Sequence, residues 1–376
     1  MSISELEPRN LREIVQGQPR GDALGAQTDA QAAAVWIRAK GSRTANTVDA
    51  YRREAIRLLL WLNEAGLCLK EMKVDHVHLF FAHLVKPPAH WLRPRKPPRD
   101  ALLSPTQVLV GPLSASSVVQ ARNILGGMCS YLQDAGYLQF NVFKLSMKPA
   151  VVVSEHQERA LHLESWFWLW EWACSLPGDN ARCRATAARA RWLFALLYHS
   201  GIRREEAAHG IMGDFVRTDT GWFLRVIGKG NKERLVAVNS LFLKELMRYR
   251  QSWGLPEFPR PGESFPLVAT INAGARSRAM TPRSIGLIIQ GLAQAAAGNC
   301  PDEYIRSQVV RMTTHWMRHT NATHRLAAGA AIETTQDELG HADPRTTRIY
   351  AKTLDSKRRD DAQKLADLQS EHPTLP

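Results

Sequence analysis

Hydrophobic positions along this chain fall mostly into runs with a helical period, broken once by a proline-rich stretch and once by a pair of alternating runs. After Asn46, which suits a helix cap, Val48, Tyr51, Ala55, Leu58 and Leu62 recur at steps of three and four as far as Gly66. The same period returns from about Ser116 in Val118, Ala121, Leu125, Met128 and Leu132, stopping near Gly136. Two such stripes bury against each other and give a small all-α unit with its polar faces outward. Arg52, Arg53 and Arg57 lie off the first stripe and are expected on that outward surface. Further along, Leu163 to Leu176 contains Trp166, Trp168, Trp170 and Trp172. A spacing of two suits a strand, but Phe167 and Leu169 in the gaps remove the polar alternation, and the tryptophans read as core. Thr186 to His199 reads as a mostly buried helix ended by Gly201, and Thr281 with Pro282 starts another through about Ala297. Phe223–Ile227 and Arg234–Val238 are strand-like and joined by a glycine-containing turn, which is the pattern of a β-hairpin. The fold class is therefore mainly α with a small antiparallel β-sheet.

The interruptions suggest the domain plan. Residues 1–28 are polar without sustained periodicity and are expected to form a flexible N-terminal arm. Residues 29–145 form the helical domain, with an insertion at 86–112 holding seven prolines and the basic cluster Arg93, Arg95, Lys96 and Arg99. Proline at that density leaves an extended segment. Residues 146–158 have little period and read as a linker, 159–353 as a second domain, and 354–376 as a charged, helix-prone tail.

Composition narrows the function. Lys and Arg number 49 against 36 Asp and Glu, a net charge of +13, which favours a polyanionic partner such as nucleic acid over a merely soluble basic enzyme. The insertion then either follows phosphates or is a solvated loop. Cys68, Cys129, Cys174, Cys183 and Cys300 are scattered without metal-ligand spacing, as in a cytosolic protein with reduced thiols. The N-terminal sequence lacks a basic segment leading into an apolar one, and no run of 18 apolar residues occurs, so secretion and membrane spanning are not expected. Gly228-Lys229-Gly230 is not a phosphate-binding P-loop: the four-residue gap between glycines and the following Ser or Thr are both missing.

Candidate chemistry concentrates between Thr313 and Tyr350. His315 and Arg318 are three apart and share a helix face. Gly340 ends a helix at Leu339 and leaves His341 at its exit, while Asp343-Pro344 starts a short helix bearing Tyr350. His-x-x-Arg, then Leu-Gly-His, then Tyr nine residues after that His resembles the C-terminal signature of the tyrosine recombinase (phage integrase) family. Upstream, Ser200-Gly201-Ile202-Arg203 with Glu206 resembles the family's first arginine box, and Val226 to Arg234 resembles its lysine hairpin. Order and rough spacing agree from Arg159 to Thr353. Met317, where the family usually has Leu, is a conservative departure.

The resemblance implies an N-terminal helical core-binding domain that clamps DNA and a C-terminal catalytic domain. It also implies that the tryptophan segment is a helix. Tyr350 would attack a scissile phosphate, forming a 3′-phosphotyrosyl link and freeing a 5′-hydroxyl. Arg203 and Arg318 would clamp the phosphate, Lys229 would protonate the leaving oxygen, His315 would take the nucleophile's proton and His341 would donate to the phosphate. Glu206 would orient this network. The implied activity is site-specific DNA recombination, serving integration, excision or resolution on a mobile element or chromosome. Its partners would be double-stranded DNA with inverted half-sites and a homotetramer, with no metal, cofactor or membrane and a cytoplasmic, nucleoid-associated location. The tail would dock in trans on a neighbouring protomer, or else be solvated. Arg52, Arg53, Arg57, Arg93, Arg95, Lys96 and Lys232 are the further candidate DNA contacts. Type IB topoisomerase-like relaxation and a catalytically idle DNA-binding protein are the rival readings.

Overall fold

The computed structural model describes residues 23–40, 45–94, 105–146, 160–228, 230–271 and 278–340. It divides into two compact units, Met1–Ser154 and Glu155–Pro376. The described part is mainly helical with one small antiparallel sheet, as its hydrophobic periods require.

The first unit contains α1 (Asp29–Ala39), α2 (Ala45–Glu64), α3 (Val74–Val85), α4 (Ala115–Asp134) and α5 (Val142–Leu145). α1 starts where the Thr28 hydroxyl accepts from the Gln31 N–H at 3.2 Å. Its buried alanines, Ala30, Ala32, Ala33 and Ala34, let α2 and α4 approach closely, while Trp36 stacks on Tyr51 of α2 at 4.7 Å. Leu58 and Leu62 of α2 and Leu125, Met128 and Leu132 of α4 are buried as their stripes predict. Asn46 lies inside α2, so it does not cap it. Asp29 ties three segments, accepting from the Leu69 N–H and the Tyr137 hydroxyl, each at 2.7 Å. Burial nonetheless pushes its carboxyl above the usual range.

The proline-rich insertion is anchored at both ends. Trp91 and Leu109 are fully buried, and Leu92 pairs with Leu109 as a parallel bridge. Trp91 donates from its indole to Glu64 at 3.0 Å. An extended loop alone would not bury such groups; apolar residues at its two ends draw it into the core. Arg57 also differs from expectation. The residue is 7% exposed, and its guanidinium donates to both Glu54 oxygens at 2.9 and 3.0 Å and reaches the Val108 carbonyl at 3.4 Å. Glu54 one turn earlier neutralises it, so its role is to hold α2 to the insertion rather than to face outward. Arg52 and Arg53 keep solvent access while pairing with Asp49 and Glu54 at 3.2 and 3.1 Å. Arg93 is exposed and donates to the Gln107 carbonyl. Arg95, Lys96, Arg99 and the linker residues 147–158 lie outside the described residues.

The second unit contains α6 (Leu163–Cys174), α7 (Ala181–Ser200), α8 (Arg204–His209), β1 (Phe215–Thr218), β2 (Gly221–Ile227) and β3 (Glu233–Ala237). It continues with α9 (Ser240–Ser252), α10 (Pro282–Asn299), α11 (Glu303–Val309), α12 (Thr314–Ala327) and α13 (Ile332–Leu339). The tryptophan segment is helical, with Trp166 buried and Trp168, Trp170 and Trp172 half-buried against the same core. Trp192 of α7 sits at the centre, stacked on Tyr249 at 5.1 Å, its indole donating to the Leu267 carbonyl at 2.6 Å. Tyr198 stacks on Trp166 at 3.8 Å and hydrogen-bonds His324 at 3.0 Å. His324 in turn meets the Leu161 carbonyl at 2.9 Å, so α12 is locked to α7 and to the start of α6. The sheet has order β1-β2-β3, all antiparallel. β1 adds a strand to the expected hairpin, paired to β2 through Phe215 opposite Leu224. Among the described residues no helix is long and apolar enough to cross a membrane.

Candidate active site

The site begins at the end of α7. Gly201 has φ +59°, and a Cβ there would lie 2.6 Å from the Asn321 side-chain oxygen and 2.7 Å from a Leu339 methyl. Glycine is thus required twice, by the left-handed turn and by the approach of α12 and α13. The Gly201 carbonyl accepts from Arg318 Nη1 at 2.7 Å. Two residues on, the extended Arg203 is the N-cap of α8, and its backbone N–H donates to Glu206 at 2.7 Å. This satisfies one of the unpaired N–H groups at the start of the helix and fixes the carboxylate beside the arginine.

Around Glu206 an ion cluster assembles. Arg203 Nη1 donates to it at 3.0 Å, and Arg234 donates from both terminal nitrogens at 3.0 and 2.7 Å. Burial alone would push the Glu206 carboxyl up, but hydrogen bonds from Arg234 and Arg203 and their charges outweigh it and hold the group below its ordinary 4.5. The second anchor is the C-terminal end of α13. Arg203 Nη2 donates to the Gly340 carbonyl at 3.2 Å, Arg318 Nη2 donates to the Leu339 carbonyl, and Arg234 Nε donates to the Glu338 carbonyl at 2.6 Å. Three successive carbonyls that the helix leaves unpaired are therefore met by three guanidiniums. Gly340, with φ +65°, makes the left-handed stop that aims them.

Arg203 and Arg318, 115 positions apart in sequence, thus converge on adjacent peptide groups. Arg318 is buried and held in place, whereas Arg203 keeps 38% of its side chain exposed. Two guanidiniums, Arg203 and Arg234, pair with the one carboxylate while a third, Arg318, is held on the same helix end, a surplus of positive charge at a partly open surface. His315 is exposed on the first turn of α12, three residues before Arg318, with its ring edge-on to His319 at 4.2 Å. Lys232 is exposed in the β2–β3 turn, where its carbonyl accepts from the Gly228 N–H at 2.8 Å. Lys229, His341 and Tyr350, the Asp343-Pro344 helix start and the tail lie outside the described residues. Among the described residues no group of three or more His, Cys, Asp or Glu is placed to hold a metal ion.

Sequence reasoning passed over Arg234. It shares with Val236 the inward side of β3, opposite the buried Val226, and an arginine on that side needs a partner. That signal was present, but its partner, Glu206, lies 28 positions away.

Residues 179–357 match the sequence model of the phage integrase family. The chain is 34% identical over 199 residues to tyrosine recombinase XerC of Mesorhizobium japonicum, covering 53% of this chain and 56% of the relative. It is 28% identical over 324 residues to tyrosine recombinase XerD of Mycobacterium leprae, covering 86% and 92%. In fold it is similar to the XerH site-specific recombinase bound to palindromic difH substrate, with TM-score 0.60, 19% identity and 91% and 86% of the two chains covered. It is likewise similar to the Tn1549 transposon integrase in complex with circular intermediate DNA, with TM-score 0.62, 16% identity and coverage of 90% and 99%. The matched region takes in Arg203, Glu206, Lys229, Arg234, His315, Arg318, His341 and Tyr350. Residues 179–357 thus form a phage integrase family domain, and the chain is similar to the tyrosine recombinases.

Proposed function

We propose that the protein is a site-specific DNA recombinase that cleaves and rejoins strands of double-stranded DNA through a 3′-phosphotyrosyl intermediate. The observation that carries the reading is the convergence of Arg203 and Arg318 on the end of α13. A guanidinium offers paired donors and stays charged at any working pH, so two of them suit the nonbridging oxygens of one phosphodiester. The phenol oxygen of Tyr350 bonds to phosphorus as the P–O5′ bond breaks. The electron pair goes to O5′, which takes a proton from the Lys229 ammonium. His315 receives the phenol proton and His341 donates to a nonbridging oxygen. A phenol with pKa near 10 is a weak nucleophile at neutral pH, and the surplus cations favour its phenolate. The phosphotyrosyl ester conserves the energy of the bond it replaces, so rejoining needs no nucleotide hydrolysis.

In this reading the first unit clamps the duplex, with Arg52, Arg53 and Arg93 and the turn residue Lys232 as phosphate contacts. Four copies act on two duplexes bearing inverted half-sites. A duplex nicked near the cleavage position loses a short 5′-hydroxyl fragment after attack and traps the covalent adduct. The wild type should accumulate it and Tyr350→Phe should not; an undiminished adduct in that variant removes Tyr350 from its role. Strand exchange without relaxation of a supercoiled plasmid lacking sites separates recombination from topoisomerase activity.

A further inference from the structure

We propose that Arg234 is a positioning residue for strand cleavage. Wedged between Gly228 and Gly340, it fixes the turn that carries Lys229 against the Arg203–Glu206 pair. The inference rests on the reading above, in which Lys229 protonates the leaving oxygen. Arg234 sits on β3 opposite Val226, so its backbone belongs to the base of that turn. Its side chain leaves the sheet and spends three donors on two other segments: two on the Glu206 carboxylate and one on the Glu338 carbonyl. A Cβ on Gly228 would come 3.2 Å from Arg234 Nη1 and 3.4 Å from the Glu206 carboxylate. A Cβ on Gly340 would come 3.1 Å from Arg234 Cδ and 3.3 Å from its Nε. The guanidinium therefore lies in a slot walled by the residues that precede Lys229 and His341 in the chain, and both walls lack side chains where it passes.

Arg203 does not depend on Arg234 alone, because it has its own bonds to Glu206 and to the Gly340 carbonyl. The turn is different. Its described ties beyond the ladder run through Gly228 and Arg234. Loss of Arg234 geometry should thus fall on delivery of the proton to O5′ more than on the phosphate clamp. Lysine cannot replace it, since one ammonium cannot fork onto a carboxylate and also reach the Glu338 carbonyl.

The test uses the full chain and nicked duplexes with either oxygen or sulfur at the bridging 5′ position. A thiolate leaves without needing a proton, so a defect confined to the acid step is relieved by sulfur. Arg234→Lys retains the charge, and Gly228→Ala disturbs the same contact from the opposite side at a backbone that tolerates alanine. Both should slow adduct formation by about a hundredfold on the oxygen substrate, the usual consequence of misplacing a reacting group by about an ångström. On sulfur each should recover to within about tenfold of wild type, while Arg203→Ala stays slow on both. Equal slowing on the two substrates, or wild-type cleavage of the oxygen substrate by Arg234→Lys, overturns the proposal alone. No adduct from the wild type on either substrate overturns the recombinase reading and the proposal with it.

Discussion

Replacing Glu206 by Gln tests the ion cluster at its centre. The carboxylate is 5% exposed and accepts four hydrogen bonds, two from Arg203 and two from Arg234. An amide has one oxygen, and its NH2 would face a guanidinium donor, so about two charge-assisted bonds worth ~1.5–3 kcal/mol each are lost. Relaxation of the half-exposed Arg203 recovers part of this, leaving a cost of about 3 kcal/mol, the low end of the range for breaking a buried ion pair. At about 2–4 °C per kcal/mol for a unit of this size, the thermal transition of the C-terminal unit should fall by about 6–12 °C. The sign of the pH dependence follows. The folded-state carboxyl is held below 4.5, so its contribution is present above that value and is lost as pH falls through the lower folded value. Chemical denaturation of wild type and variant across pH 3 to 8 should therefore give a constant gap above about pH 5 that closes in acid. A gap under about 0.5 kcal/mol at pH 7, typical of surface substitutions, would refute a buried, charge-coupled cluster.

Other substitutions probe neighbouring supports. Gly201→Ala combines a left-handed φ with contacts far inside van der Waals range, so stability should fall by more than the ~1–2 kcal/mol of the backbone conformation alone; a drop below 1 kcal/mol in urea denaturation would show that α12 and α13 are not held there. Arg250, fully buried, forks onto Glu263 and donates to the Pro256 and Phe258 carbonyls, so Arg250→Ala should cost about 3–5 kcal/mol and expose 253–265 to limited proteolysis. Arg57→Ala should destabilise the first unit by about 3 kcal/mol, whereas Arg53→Ala should leave stability within about 0.5 kcal/mol and reduce the salt dependence of DNA binding. Equal stability losses from the two would mean that Arg57 is not the inward one.

What the sequence made legible was whatever rests on local period. α2 and α4 follow from their stripes and α10 from its Thr281-Pro282 start, and Gly201 and Gly340 stop helices as expected because left-handed turns select glycine. β1 escaped notice because four residues are too few for an alternating signal. Arg57 was misplaced because falling off an apolar stripe does not keep a long side chain in water when a carboxylate waits one turn away. Arg234 and Arg250 were missed for another reason: their partners come from other segments, and periodicity names a face without naming what meets it. The meeting of Arg203 and Arg318 was anticipated, but the shared support beneath them, the last carbonyls of α13, was not.

The phosphate clamp can be tested by changing the phosphate. Replacing one nonbridging oxygen of the scissile group by a methyl removes the negative charge that Arg203 would face in the proposed site. On the ordinary substrate Arg203→Ala should form the covalent adduct about a hundredfold more slowly than wild type, the scale of losing one transition-state donor. On the methylphosphonate that gap should shrink to within about tenfold, because the charge to be neutralised is gone. An equal penalty on both substrates would place Arg203 away from the scissile phosphate and contradict the site described here.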